Sequence, residues 1–272
     1  MISLYENELT PNQLRINILK MAKAGGTGHI GPSFSLVEII IALYKNFIKL
    51  DWNNKNNLNR DVLALSKGHG VMALYAVFKE FGWLSEEQLL GYMNSNNHLK
   101  GLSSTMVSGI EVSGGSLGHG LPVSVGIAYA QRVQDLKSRT FCIIGDGELN
   151  EGSVWESVLF AAHNKLDNLI VIVDSNKYQA MGRIEDIINL ENLIKRFKTF
   201  GFNVKQCNGH NIKSISNSLK FLINKKNKKP GILIANTIKG KGVSFMENDN
   251  IWHYSRLTDE LFQKAFSELR NA

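Results

Sequence analysis

Apolar residues recur along this chain in two rhythms. Short runs rich in Val, Ile and Leu stop at polar residues or glycine: Asp61 to Leu65, Thr140 to Ile144, Leu169 to Val173, Phe202 to Gln206 and Gly231 to Asn236. Runs of this length, apolar at consecutive positions, are expected for strands buried on both faces, as in a parallel sheet. Between them, apolar positions return every three or four residues, which is helical spacing. Leu36, Ile39, Ile40 and Leu43 mark one helix, and Val154, Val158, Leu159 and Ala162 mark another. A terminal helix is expected over Thr258 to Leu269, with Thr258 as N-cap and Leu261, Phe262, Ala265 and Leu269 on its buried face. The alternation predicts an α/β fold, a parallel sheet with helices on both faces. Asn53 to Asn59 is the most polar stretch and reads as a loop. No repeat, heptad array or long flexible linker breaks residues 1–272, so one domain with N- and C-terminal extensions is expected.

Composition narrows the compartment and the partners. Two cysteines, Cys142 and Cys207, cannot build a disulfide framework, and neither has a second cysteine at metal-ligand spacing. The opening MISLYENELT lacks a basic segment followed by an apolar one, and runs such as Ile39 to Tyr44 fall far short of the roughly 20 residues of a membrane span. A cytoplasmic protein without membrane attachment is expected. The formal charge of +7 is local: twelve Lys and Arg and no Asp or Glu lie between Lys195 and Lys241, leaving 19 basic against 24 acidic residues elsewhere. Within that stretch, NKKNKKP (224–230) falls where a helix would end and a strand begin, and lysines there complement the helix dipole. No aromatic residues alternate with these lysines, so no nucleic-acid partner is expected.

The sharpest chemistry lies in Thr140-Phe-Cys-Ile-Ile-Gly-Asp-Gly-Glu-Leu-Asn-Glu-Gly152, followed by Leu169-Ile-Val-Ile-Val-Asp-Ser-Asn176. A strand runs into Gly145-Asp146-Gly147, a helix returns over about Gly152 to His163, and a second strand runs out to Asn176. In a right-handed βαβ unit the two strands are parallel, which brings Asp146 and Asn176 to one carboxyl edge. A carboxylate, an amide oxygen and a backbone carbonyl just beyond form half a shell for Mg2+, which takes oxygen ligands and completes its octahedron with phosphate and water. The flanking glycines let a diphosphate approach the backbone, and the next helix N-terminus offers amides to it. Gly-Asp-Gly alone is also a common turn; the Asn thirty residues later gives it meaning.

These residues resemble the thiamine-diphosphate fold family. GDGELNEGSVWE with KLDNLIVIVDSNKYQ is similar to the N-terminal half of transketolases, as are Gly28-His29-Ile-Gly31-Pro32, Ser66-Lys-Gly68-His69-Gly70, Gly115-Ser116-Leu117-Gly118 and Thr237-Ile-Lys-Gly-Lys-Gly242 leading to Trp252-His253. The resemblance implies that Asp146 and Asn176 bind Mg2+ through side chains and Tyr178 through its carbonyl. It implies that Gly147 meets the diphosphate, that His69 and His253 contact thiamine diphosphate, and that Gly115 and Leu117 wall its rings. It further implies that His29 faces substrate oxygens and that Glu151 lies at a subunit interface linking active sites. His29 and His69 are the expected proton-handling residues. His163, His210 and His98 are read as a helix-end partner, a turn residue and a residue without a motif.

Two positions depart from the family pattern. Where transketolases carry Gly-His-Pro before the glycine-rich loop, the matching stretch is Gly101-Leu102-Ser103, and His119 stands where Gln is common. Both bear on the sugar more than on the reaction. The family places the glutamate that activates the cofactor on a second domain, and only about thirty residues follow Lys241, too few for one. The expectation is therefore a split enzyme transferring a two-carbon ketol unit between sugars or sugar phosphates, with a partner C-terminal subunit supplying that glutamate in an α2β2 heterotetramer. The alternatives are a deoxyxylulose-phosphate-synthase-like enzyme, a 2-oxo acid decarboxylase-like subunit and a non-catalytic cofactor-binding subunit. No residue of the basic stretch is expected to serve the chemistry.

Overall fold

A computed structural model describes residues 9–49, 57–225 and 227–271. Five strands form one parallel sheet: β1 Val62–Leu65, β2 Thr140–Gly145, β3 Leu169–Ser175, β4 Asn203–Asn208 and β5 Gly231–Asn236, in the spatial order β1-β2-β3-β5-β4. All five expected strands are present. Asp61 and Phe202 fall just outside them. Asp61 is instead a buried cap whose carboxylate accepts from the amides of Lys49 at 2.9 Å and Arg139 at 2.7 Å. The polar stretch 53–59 and the chain start lie mostly outside the described residues.

The helices are α1 Pro11–Ala24, α2 Ile30–Phe34, α3 Val37–Asn46, α4 Val71–Glu80, α5 Glu86–Leu90, α6 Gly120–Val133, α7 Gly152–His163, α8 Ile184–Ile187, α9 Leu193–Thr199, α10 Ile212–Ile223 and α11 Asp259–Asn271. Alternate strand residues serve opposite faces, as the pleat requires. Phe141 and Ile143 join α1, α3, α4, α10 and α11 in one core, while Cys142 and Ile144 join α6, α7 and α9 in the other. Local chemistry sets the helix ends. Pro11 sits at the start of α1 behind a Thr10 cap, Ser85 and Gln88 form a capping box on α5, and the Thr258 hydroxyl accepts from Leu261 N at 3.3 Å ahead of α11. On α11, Ala265 and Leu269 are buried, whereas Leu261 and Phe262 are only partly covered. No helix among the described residues is long and apolar enough to cross a membrane.

Two segments far apart in the chain meet at the sheet's carboxyl edge. Gly28 and Ser255 exchange backbone hydrogen bonds of 3.1 and 3.2 Å. That single bridge carries the segment before α2 and the segment before α11 to the same place.

Candidate active site at the carboxyl edge of the sheet

Residues Gly145 and Asp174 are paired across β2 and β3, so the chain leaves both strands side by side. Asp146 and Asn176 follow directly. The Asp146 carboxylate ties the two exits together, accepting from Gly147 N at 3.0 Å and from Lys177 N at 2.7 Å. Asn176 Oδ1 accepts from Tyr178 N at 3.0 Å, and its amide nitrogen donates to Asp174 Oδ2 at 3.2 Å and Ser35 Oγ at 3.4 Å. Lys177, at φ +71, bends the chain between them. A short 3-10 turn, Gly147–Asn150, separates the Asp-Gly corner from α7.

These groups floor a cleft of about 590 Å3, whose lining includes Lys67, His69, Leu117, Gly147, Glu151, Tyr178, Lys239 and His253. Burial, with Asp174 nearby, pushes Asp146 up to about 7; its hydrogen bonds from Lys177 and the charge of Lys67 only partly oppose this. No basic side chain is hydrogen-bonded to it among the described residues, so a divalent cation is the natural compensation. Asn176 Oδ1 offers a further oxygen beside it, and Tyr178, whose carbonyl the family resemblance implies as a ligand, lines the same cleft. No cluster of three His, Cys, Asp or Glu in metal-holding geometry occurs among the described residues, so a cation here relies on amide and carbonyl oxygen. At Gly147 a Cβ would come within 2.7 Å of Gln179 Cγ, so glycine lets the Gln179 side chain pack against this turn. The donor set and the glycine floor fit Mg2+ and a diphosphate.

Three histidines cluster at the cleft: His69 and His253 line it, and His29 packs against both. The rings of His29 and His69 lie 4.7 Å apart, those of His29 and His253 5.7 Å, and those of His69 and His253 6.1 Å. The Gly28–Ser255 bridge places His29 and His253 together, and the 3-10 turn Gly68–Gly70 after β1 adds His69. Burial, with the charge of Lys239 and the other histidines, lowers His253 to about 3; burial and His69 lower His29 to about 4; burial and Lys67 lower His69. All three are neutral at physiological pH and can each accept a proton or hydrogen bond. The glycines beside His69 have a packing reason, since a Cβ on Gly68 would come within 2.8 Å of the Gly114 carbonyl carbon and one on Gly70 within 2.4 Å of Leu36 Cδ1.

Sequence reasoning missed the groups that hold this rim. Lys239 is fully buried, with Nζ donating to Gln179 O at 3.1 Å and Asn250 Oδ1 at 2.6 Å and lying 2.9 Å from His253 Nδ1. Burial, reinforced by Lys67 and opposed by Asp146 and Asp174, lowers it to about 7. No residue of the basic stretch is expected to serve the chemistry, yet Lys239 lines the cleft, and Thr237 from the same stretch donates to Asp174. Lys67 also donates to Asp174, and Ser35 Oγ does so at 2.6 Å. Although burial opposes its ionisation, Asp174 is held below the ordinary carboxylate range by Lys67 and these hydroxyls. Glu148 accepts from Ser66, Gly118 N and Gly145 N, joining the loops that follow β1, precede α6 and follow β2. The motifs contained Lys67 and Lys239, but nothing in a sequence marks a lysine as buried.

The other candidates are less enclosed. Glu151 is exposed at the start of α7. Leu102 packs near Gly115, and His119 is exposed, its Nδ1 3.1 Å from Leu117 O at the start of α6. His210 does more than sit in a turn, with Nδ1 2.9 Å from Glu38 Oε2 and Nε2 accepting from Ile238 N at 2.8 Å. His163 occupies the last turn of α7, as expected of a dipole partner.

The family model for the transketolase thiamine diphosphate binding domain matches residues 7–269. The chain belongs to this family. It is 39% identical over 251 residues to one subunit of the apulose-4-phosphate transketolase of Actinobacillus succinogenes, covering 92% of this chain and 90% of that one. It is 39% identical over 246 residues to the 6-deoxy-6-sulfo-D-fructose transketolase subunit SqwG of Clostridium sp. strain MSTE9, covering 90% of this chain and 89% of that one. The crystal structure of Campylobacter jejuni transketolase superposes with a TM-score of 0.85 at 30% identity, covering 97% of this chain but 43% of that chain. This chain thus matches nearly the whole of the relatives that are named as subunits and less than half of the longer Campylobacter chain. Each of these relatives is a transketolase, which favours that reading over the 2-oxo acid and deoxyxylulose-phosphate alternatives.

Proposed function

We propose that this chain is the diphosphate-binding subunit of a two-chain transketolase, moving a two-carbon ketol unit from a ketose or ketose phosphate to an aldose or aldose phosphate. The observation that carries this is the buried Asp146 carboxylate beside Asn176, hydrogen-bonded to no basic side chain among the described residues, next to glycines and three neutral histidines. Asp146, Asn176 and the Tyr178 carbonyl would hold Mg2+; Gly147 and the amides beyond it would take the diphosphate. Gly115 and Leu117 would wall the rings, and His69 and His253 would contact the cofactor. Thiamine diphosphate, when bound, supplies the electron sink for cleaving and forming the carbon–carbon bond.

The chain's own groups orient and exchange protons. His29 and His69, kept neutral by burial first, can take a proton from a substrate hydroxyl and return it. Lys239 anchors His253 from beneath, and Glu148 holds three loops against the cleft. Residues 1–272 act as one such domain, and Glu151 faces a neighbouring subunit. The names of the relatives imply a second subunit, which on this reading supplies the activating glutamate in an α2β2 assembly in the cytoplasm. Those names include a phosphate and a sulfonate sugar, so an anionic ketose is the substrate class. Titration calorimetry of the chain with its partner subunit tests the reading. Thiamine diphosphate with Mg2+ should bind and Asp146→Ala should abolish binding; an enzyme that binds no cofactor, or binds it equally well after that substitution, sinks it.

A further inference from the structure

Beside the three histidines lie buried polar atoms that the chemistry above leaves without a role. His29 Nδ1, the Tyr92 hydroxyl and the Tyr75 hydroxyl are all buried without a hydrogen-bond partner among the described residues. Both tyrosines are completely enclosed. Neither His29 Nδ1 nor the Tyr75 hydroxyl meets hydrogen-bond geometry, although the Gly101 backbone lies close enough to His29, and that of Lys100 to Tyr75, to act on its proton. Buried polar atoms in native proteins are almost always satisfied by protein or by ordered water, and phenylalanine would fill the same apolar volume at either tyrosine.

Gly101 separates two of these atoms. A Cβ at Gly101 would stand 3.4 Å from the Tyr92 hydroxyl and 3.9 Å from His29 Nδ1, with Met93 Sδ at 3.9 Å as its other near neighbour. The flank of Gly101 therefore has room for a small group and is bordered by an unpartnered donor–acceptor pair.

We propose that a water molecule beside Gly101 bridges the Tyr92 hydroxyl to His29 Nδ1, making Tyr92 a positioning residue that holds His29 in its Nδ1–H tautomer. Nε2 then keeps its lone pair for a substrate hydroxyl, which is the role of His29 under the transketolase reading on which this inference rests. The tautomer of a histidine is set by the hydrogen bond its other nitrogen makes. A methyl on Gly101 would press on both ends of this bridge.

The test reads the tautomer directly, by long-range proton–nitrogen correlation on the 15N-histidine-labelled full chain at neutral pH. Wild type should give Nδ1–H at His29. Tyr92→Phe and Gly101→Ala should each shift it toward Nε2–H, the form free imidazole favours, with the thermal midpoint almost unchanged. Ala fits in ordinary contact and Phe keeps the ring, so at least one variant should fold. With the partner subunit present, both variants should lose about tenfold in kcat with cofactor affinity unchanged. An Nε2–H tautomer in the wild type, or an Nδ1–H tautomer retained in both variants, overturns the proposal. The tautomer needs neither cofactor nor substrate, so this failure is distinct from failure of the cofactor titration.

Discussion

Replacing Lys67 by Met removes a charge from beneath the cleft while leaving the length of its stem. Lys67 is 6% exposed and Asp174 not at all. The Asp174 carboxylate accepts from Lys67, Ser35, Thr237 and Asn176, four donors on separate stretches of chain. Loss of one partner of a buried ion pair strands the other charge and costs about 3–5 kcal/mol. Three neutral donors remain, so the lower half of that range is expected. For a chain of this size the thermal midpoint should fall by roughly 6–15 °C.

The pH dependence supplies the sign. In the wild type Asp174 sits below the ordinary carboxylate range, so its contribution is present above that range and lost as pH falls through the folded value. Without Lys67, burial moves the carboxyl up, and stability is then lost as pH rises. The deficit of Lys67→Met should therefore widen from about pH 5 to about pH 8. Adding Asp174→Asn removes the stranded charge and should recover at least half of the loss. Calorimetric melting and urea unfolding at both pH values provide the measurement. A loss below about 1 kcal/mol, a double variant no better than the single one, or a deficit that narrows with pH would refute the argument.

Glu148→Gln leaves one of three donors, from Ser66, Gly118 and Gly145, facing an amide NH2; it should cost about 1–3 kcal/mol in urea unfolding and weaken thiamine diphosphate binding about tenfold. Gly240 has φ +77, and a Cβ there would come within 2.1 Å of the Met246 carbonyl oxygen. Gly240→Ala should therefore cost more than about 2 kcal/mol and displace Lys239, read as a lower midpoint and weaker cofactor binding. Burial, helped by neighbouring cations and histidines, holds His29 at about 4 and His253 at about 3, so the unfolded chain takes up protons below its ordinary histidine value of 6.5 that the folded chain excludes. Stability present above 6.5 should be lost as pH falls toward 4, and His29→Asn should make the decline of the thermal midpoint across that window shallower.

Which residues meet at the carboxyl edge follows from two different kinds of information, and only one is written in local sequence. Asp146 and Asn176 were legible because a strand–helix–strand unit has one common hand, so their convergence needs no long-range knowledge. The five strands were legible for a similar reason: residues such as Leu169 to Val173 are buried on both faces and leave an unbroken apolar run. Helix α4 reads Val-Met-Ala-Leu-Tyr-Ala-Val-Phe and is enclosed all round, so it lacks the periodicity that exposes other helices. The meeting of His29 with His253 depends on the Gly28–Ser255 bridge across more than 200 residues, for which no spacing rule exists. Lys239 shows the sharper limit. By charge count it belongs to a solvated basic stretch, yet tertiary packing seals it under His253, where acceptor atoms of Gln179 and Asn250 replace water. A lysine's burial is decided by what closes over it, and here that cover is assembled from the loop after β3 and the segment before α11. The rim's electrostatics are thus a product of topology, while the Asp146 and Asn176 half of the site is already present in a single βαβ unit.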